Sequence, residues 1–106
     1  MKCSEYLWKY IQLQNTMKDT PGWSPEQARG ELTELMAQNG DSTIESDTTG
    51  EAMTQREAHS VEGRNSRALW DAYRDNKPVL FESIVRADLG ERDAYHAAKA
   101  QEGTEG

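Results

Sequence analysis

Large aliphatic residues are scarce in this chain, and that scarcity limits what it can fold into. Among 106 residues there are seven leucines, three isoleucines, three valines and one phenylalanine. That is well under the roughly one fifth of positions below which a highly charged chain is suspected of disorder. Three tryptophans, four tyrosines and four methionines offset part of the deficit, because each aromatic ring buries on the order of 150–250 Å². The length allows one small domain over 1–106. Its core is expected to be thin and completed by a partner or a second copy.

The charge is uneven. Nineteen acids against twelve Lys and Arg leave a net charge of −7, and the excess gathers in the middle. There Asp41, Glu45, Asp47, Glu51, Glu57 and Glu62 face Arg56 alone. Ile44, Met53 and Val61 are the only large apolar residues from Gly40 to Ser66. Segment 40–65 therefore reads as an acidic, hydroxyl-rich linker or loop, with a weakly held polar helix over 51–61 capped by Thr49. It is either a solvated connector or an arm for a basic partner, with Asp41, Glu45 and Asp47 as contacts.

The flanks read as helices, so the expected fold class is all-α. The expectation is a small bundle of four to five helices, in two halves joined by the acidic linker. Residues 1–39 form a helical hairpin. Its first helix runs from Ser4, the expected cap, to about Lys18. At 100° per residue, Tyr6, Tyr10, Leu13 and Met17 fall on one stripe, Leu7 and Ile11 widen it, and Trp8 lies further round. The apolar arc spans about 220°, against the roughly 100° of a one-sided helix. Such a helix is either central or meets a partner on one side. The second helix starts at Ser24-Pro25-Glu26-Gln27, a capping box with proline at the first helical position, and stops at Gly40.

Residues 66–101 form the second half. A helix over Ser66–Asp75, capped by Asn65 or Ser66, buries Ala68, Leu69, Ala72 and Tyr73, with Trp70 off that face. Asn76-Lys77-Pro78 breaks the chain. The β-branched run Val79–Val85 would suit a strand, yet Pro78, the Leu80/Ile84 spacing and Gly90 after Leu89 favour a helix. A final helix runs from Glu91 to about Gln101, and 102–106 is expected to be a flexible tail.

Motifs for chemistry are missing. The chain has no glycine-rich phosphate loop, paired-cysteine motif or HExxH signature. His59 and His96 lie on separate polar segments without a second ligand at metal spacing, and read as surface residues. Asp41, Glu45 and Asp47 miss the calcium-loop register. A single cysteine, Cys3, permits no intrachain disulfide and suits a reducing compartment. A nucleophilic role for Cys3 would need a basic neighbour to lower its pKa, and the adjacent Lys2, near the terminus, offers poor geometric control. No cofactor, metal or catalytic residue is expected. No apolar run reaches membrane-span length and the N-terminus lacks a signal-peptide stretch, so a cytoplasmic protein is expected.

The expected function is accordingly a non-catalytic protein-binding module. It would be a small acidic inhibitor or adaptor, of phage or mobile-element type, covering a basic surface such as that of a nucleic-acid-processing enzyme. Tyr6, Trp8, Tyr10 and Trp70 are its expected main contacts, because tryptophans off a buried stripe are enriched at binding hot spots. Two alternatives stay open. One is a homo-oligomeric structural or accessory protein with the first helix at a dimer seam. The other is a DNA-binding regulator using the helices around Arg64, Arg67, Arg74, Lys77 and Arg86. The acidic balance and the Arg67–Asp71 spacing argue against direct nucleic-acid binding.

Overall fold

Helix α1 (Cys3–Met17) is the axis of the fold. The computed structural model describes residues 1–105, with side chains through Gln101; Gly106 lies outside the described residues. Helices α2 (Pro25–Gln38), α3 (Gln55–Arg64), α4 (Ser66–Arg74) and α5 (Pro78–Glu105) all pack on α1. Strands β1 (Ile44–Glu45) and β2 (Ala52–Met53) form an antiparallel pair beside its first turn. The fold is a small all-α bundle carrying one very short hairpin. The wide apolar arc of α1 now has its reason. Cys3, Tyr6, Leu7, Tyr10 and Ile11 are all buried, because neighbours cover the helix on several sides.

Helix α1 begins one residue before the expected cap. Lys2 occupies the cap position and Ser4 lies in the first turn. There the Ser4 N–H donates to Asp47 Oδ1 at 2.9 Å and its hydroxyl to Oδ2 at 2.5 Å. An orphan amide of the first turn thus takes its acceptor from a remote segment, and the carboxylate also suits the positive end of the helix.

Local signals work better elsewhere. Ser24 N–H donates to the Gln27 side chain at 3.1 Å, and Pro25 opens α2. At its end Gly40 takes φ +73°, Gly40 N–H donates to Ala37 C=O and Asp41 N–H to Met36 C=O. That is a Schellman stop. Helix α4 closes in the same way, with Asn76 at φ +54° in place of glycine and Lys77 N–H donating to Ala72 C=O.

Segment 40–65 differs from the expected linker. Met53 pairs opposite Ile44 in the hairpin, and both are buried with Ala58 and Val61 of α3. One inward residue per strand and two per short helix are enough to anchor these elements. Backbone bonds add to that hold, because Glu45 N–H donates to Met1 C=O at 2.8 Å. Thr54, not Thr49, caps α3 in a capping box with Glu57.

The two C-terminal helices expected on either side of Gly90 are one. A glycine inside a helix costs only about 1 kcal/mol relative to alanine, and contacts on both sides of it hold α5 in register. Before Gly90, Phe81, Val85 and Leu89 are buried, and Asp88 receives Arg64 at 2.7 and 3.0 Å and Asn65 at 2.8 Å. After it, Arg92 pairs with Glu57, and Thr48 donates to Asp93 at 2.6 Å. Helix α5 extends through Glu105, so it covers most of the expected tail 102–106, whose side chains lie outside the described residues.

Candidate functional site

The seven expected contact residues separate into three groups. Tyr6 and Tyr10 belong to the core, at 0 % and 4 % exposure, so neither offers a surface to a partner. Their rings face α3, where His59 sits edge-on at 5.3 Å from Tyr6 and 4.5 Å from Tyr10. The Tyr6 hydroxyl and His59 Nε2 share a hydrogen bond of 2.7 Å. Burial, then the nearby Tyr10 hydroxyl, pushes the Tyr6 phenol up to about 12. Burial, then the Arg29 guanidinium, brings His59 down to about 4. A neutral phenol and a neutral imidazole therefore join α1 to α3. His59 is half-buried, which corrects its reading as a surface residue. No second polar residue near it in sequence signals this role.

The acids form the second group. Asp41 accepts from the Met1 amine at 2.6 Å, and that bond holds its carboxyl below the usual range. Asp47 holds the first turn of α1 through Ser4. Glu45 is exposed on β1. Two of the three acids expected to meet a basic partner are thus engaged by the chain's own N-terminal segment.

Trp8 and Trp70 form the third group, and the fold brings them together. Helix α1 carries Trp8, and α4 carries Trp70 and Tyr73. Tyr73 lies between the two indoles, 5.0 Å from Trp8 and 6.5 Å from Trp70, in edge-to-face contacts. Phe81 of α5 backs Trp8 from the core at 5.1 Å. Both indoles are part-buried. Burial raises the Glu62 carboxyl above its ordinary value, and the neighbouring Trp70 and Arg29 side chains hold that rise back.

Above these rings lies a groove of about 550 Å³ between α1 and α4. Gln12, Asn15 and Lys18 form its α1 wall, and Arg74 and Asn76 its α4 wall. Trp8 also borders a smaller depression of about 230 Å³ lined by Pro78, Phe81 and Lys9 among others. Sequence spacing isolated both tryptophans but missed Tyr73 as their bridge, since helical periodicity places it on the buried face. It also missed the amides, which are ordinary surface residues on a helical wheel.

Other candidate chemistry is accounted for. Cys3 is buried and its thiol is pushed up to about 12, first by burial and then by Asp47, so it stays protonated at neutral pH. Among the described residues, no group of three or more His, Cys, Asp or Glu could hold a metal. No described helix is long and apolar enough to cross a membrane. Three of the arginines weighed for DNA pair with carboxylates: Arg64 with Asp88, Arg74 with Asp71 and Arg86 with Glu82. Asp71 thus meets Arg74, not the expected Arg67. No protein-family model matches the chain, and no curated protein or solved structure matches it either.

Proposed function

We propose that this chain is a non-catalytic protein-binding module that docks on its partner through the Trp8–Trp70 groove, as a small inhibitor or adaptor does. One observation carries the reading. Two tryptophans from opposite halves of the sequence converge, with Tyr73, on the floor of a single groove. Part-buried indoles beside polar walls have the character of binding hot spots, where a large ring area is already ordered before the partner arrives.

The acidic surface has a smaller part in this reading than composition implied. Asp41 and Asp47 are engaged within the fold, while the groove wall carries Lys18 and Arg74. A dimer seam along α1 is disfavoured, because its apolar arc is already covered by α2, α3, α4, α5 and β1.

The test compares affinity purification from source cells using the wild-type chain and the Asn15→Arg, Lys18→Glu double variant. Both positions are exposed on the groove wall, so the variant should stay folded. The expected result is a protein retained by the wild type and lost by the variant. A partner retained equally by both would remove the groove from the reading.

A further inference from the structure

We infer that the groove takes an extended, proline-containing segment of a partner protein with acidic residues beside the prolines. This rests on the docking reading above and names the chemistry of its occupant.

Trp70, Tyr73 and Trp8 line the groove with neighbouring centroids 6.5 and 5.0 Å apart at interplanar angles of 80° and 69°, and the buried Phe81 backs Trp8 at 5.1 Å. Tyr73 is braced between the two indoles, and Phe81 braces Trp8 from behind. The strip is therefore rigid before anything binds. The two indoles flank Tyr73, so their centroids lie no more than about 11.5 Å apart, and a polyproline II segment, which advances about 9 Å per three-residue turn, can set two prolines three apart one on each indole.

Gln12, Asn15 and Asn76 place carboxamides along the groove. Their N–H groups suit a backbone whose carbonyls have no internal partners, as in polyproline II. Strand addition has no sheet edge here, since the groove lies between α1 and α4. A docked amphipathic helix would turn its own satisfied backbone and an apolar face toward these amides and leave them unpaired.

In a chain of net charge −7, the groove is lined by Lys18 and Arg74 and by no carboxylate. Arg74 does touch Asp71 at 3.5 Å, with both side chains more than half exposed. Such a pair is weak and can be exchanged for a partner's acid. A single-stranded nucleic acid would also offer stacking groups and anions, but the chain's overall charge repels a polyanion.

The test uses the intact, isotope-labelled protein and a short synthetic peptide with two prolines three apart between glutamates. Saturable shifts are expected in the indole N–H signals of Trp8 and Trp70, with that of Trp23, which precedes α2 and does not line the groove, unmoved. Replacing the prolines by alanine should weaken binding at least about fivefold, through the lost preorganisation. Lys18→Glu should weaken the glutamate peptide by about fivefold and a glutamine version by clearly less, and the same spectra report that the variant is folded. Equal binding of the alanine peptide, shifts centred on Trp23, no shift at all, or tighter binding of oligothymidylate would each overturn the inference. If these peptides fail while the double variant above still loses its protein partner, the occupant is misassigned and the docking reading stands. If that variant keeps its partner, the docking reading fails.

Discussion

At the scale of residues, His59 shows how an unremarkable position acquires a defined state. Its imidazole is wedged against Tyr6 and Tyr10, and burial favours the neutral form, with a folded value of about 4. In the unfolded chain the same ring takes up a proton near its ordinary value of 6.5. Its contribution to stability is therefore complete above pH 6.5 and is lost as the pH falls toward 4. The loss should be on the order of 1–2 kcal/mol once partial solvent access is allowed for. In melting curves between pH 7.5 and 4.5, His59→Gln should lose less thermal stability over the acidic half than the wild type. Parallel curves would show that the imidazole does not carry this linkage. Nothing in the local sequence announces the role, because it depends on two rings of α1 more than forty positions away.

At the scale of elements, ends are set by local chemistry and continuity is set by packing. Ser24–Gln27 starts α2 and Thr54–Glu57 starts α3, each through the same four-residue box. The second box lies in plain view at Thr54-Gln55-Arg56-Glu57 but is easily passed over in a polar segment. Gly40 and Asn76 both stop helices with positive φ, whereas Gly90 sits inside α5 without that geometry. A methyl group at Gly90 would meet nothing within 4 Å. Gly90→Ala should therefore stabilise the protein by about 0.5–1 kcal/mol. Asn76→Ala should destabilise it by about 1 kcal/mol, since alanine tolerates the left-handed region poorly. Opposite signs in denaturant unfolding are the expected outcome. A destabilising Gly90→Ala would mean that α5 bends there in solution.

At the scale of the whole molecule, a chain poor in aliphatic residues closes its core by concentrating it on one helix. Val79 is 80 % exposed, and Leu35 and Leu80 are also exposed, so even these few aliphatics are not all used inside. Cys3, Tyr6, Tyr10, Met36, Met53 and three alanines fill the remaining places. Such a core predicts a steep gradient of local stability. Amides of α1 from Leu7 to Ile11 should exchange slowest, near the rate set by global unfolding. Those of α5 beyond Ala94, where every described side chain is exposed, should exchange far faster. Similar protection in both segments would show that the outer part of α5 is covered by something else, such as a second copy.

The sequence by itself determined the helical class, the start of α2, its stop at Gly40, the break at Asn76 and the width of the apolar arc on α1. These rest on hydrogen bonds and periodicities that span a few residues, so the neighbouring letters contain them. Only the tertiary structure decided that the acidic middle is a packed hairpin and helix, that Asp47 completes the first turn of α1, and that Tyr6 and Tyr10 are core while Trp8 and Trp70 share a groove. Each of these depends on which remote segment lies opposite a given side chain. That is settled by burying the few available apolar groups around α1, with the polar groups that follow them inward finding partners there. The aromatic side of α1 was visible from the start as a feature; which of its rings face a partner and which face the protein was decided by the helices around it.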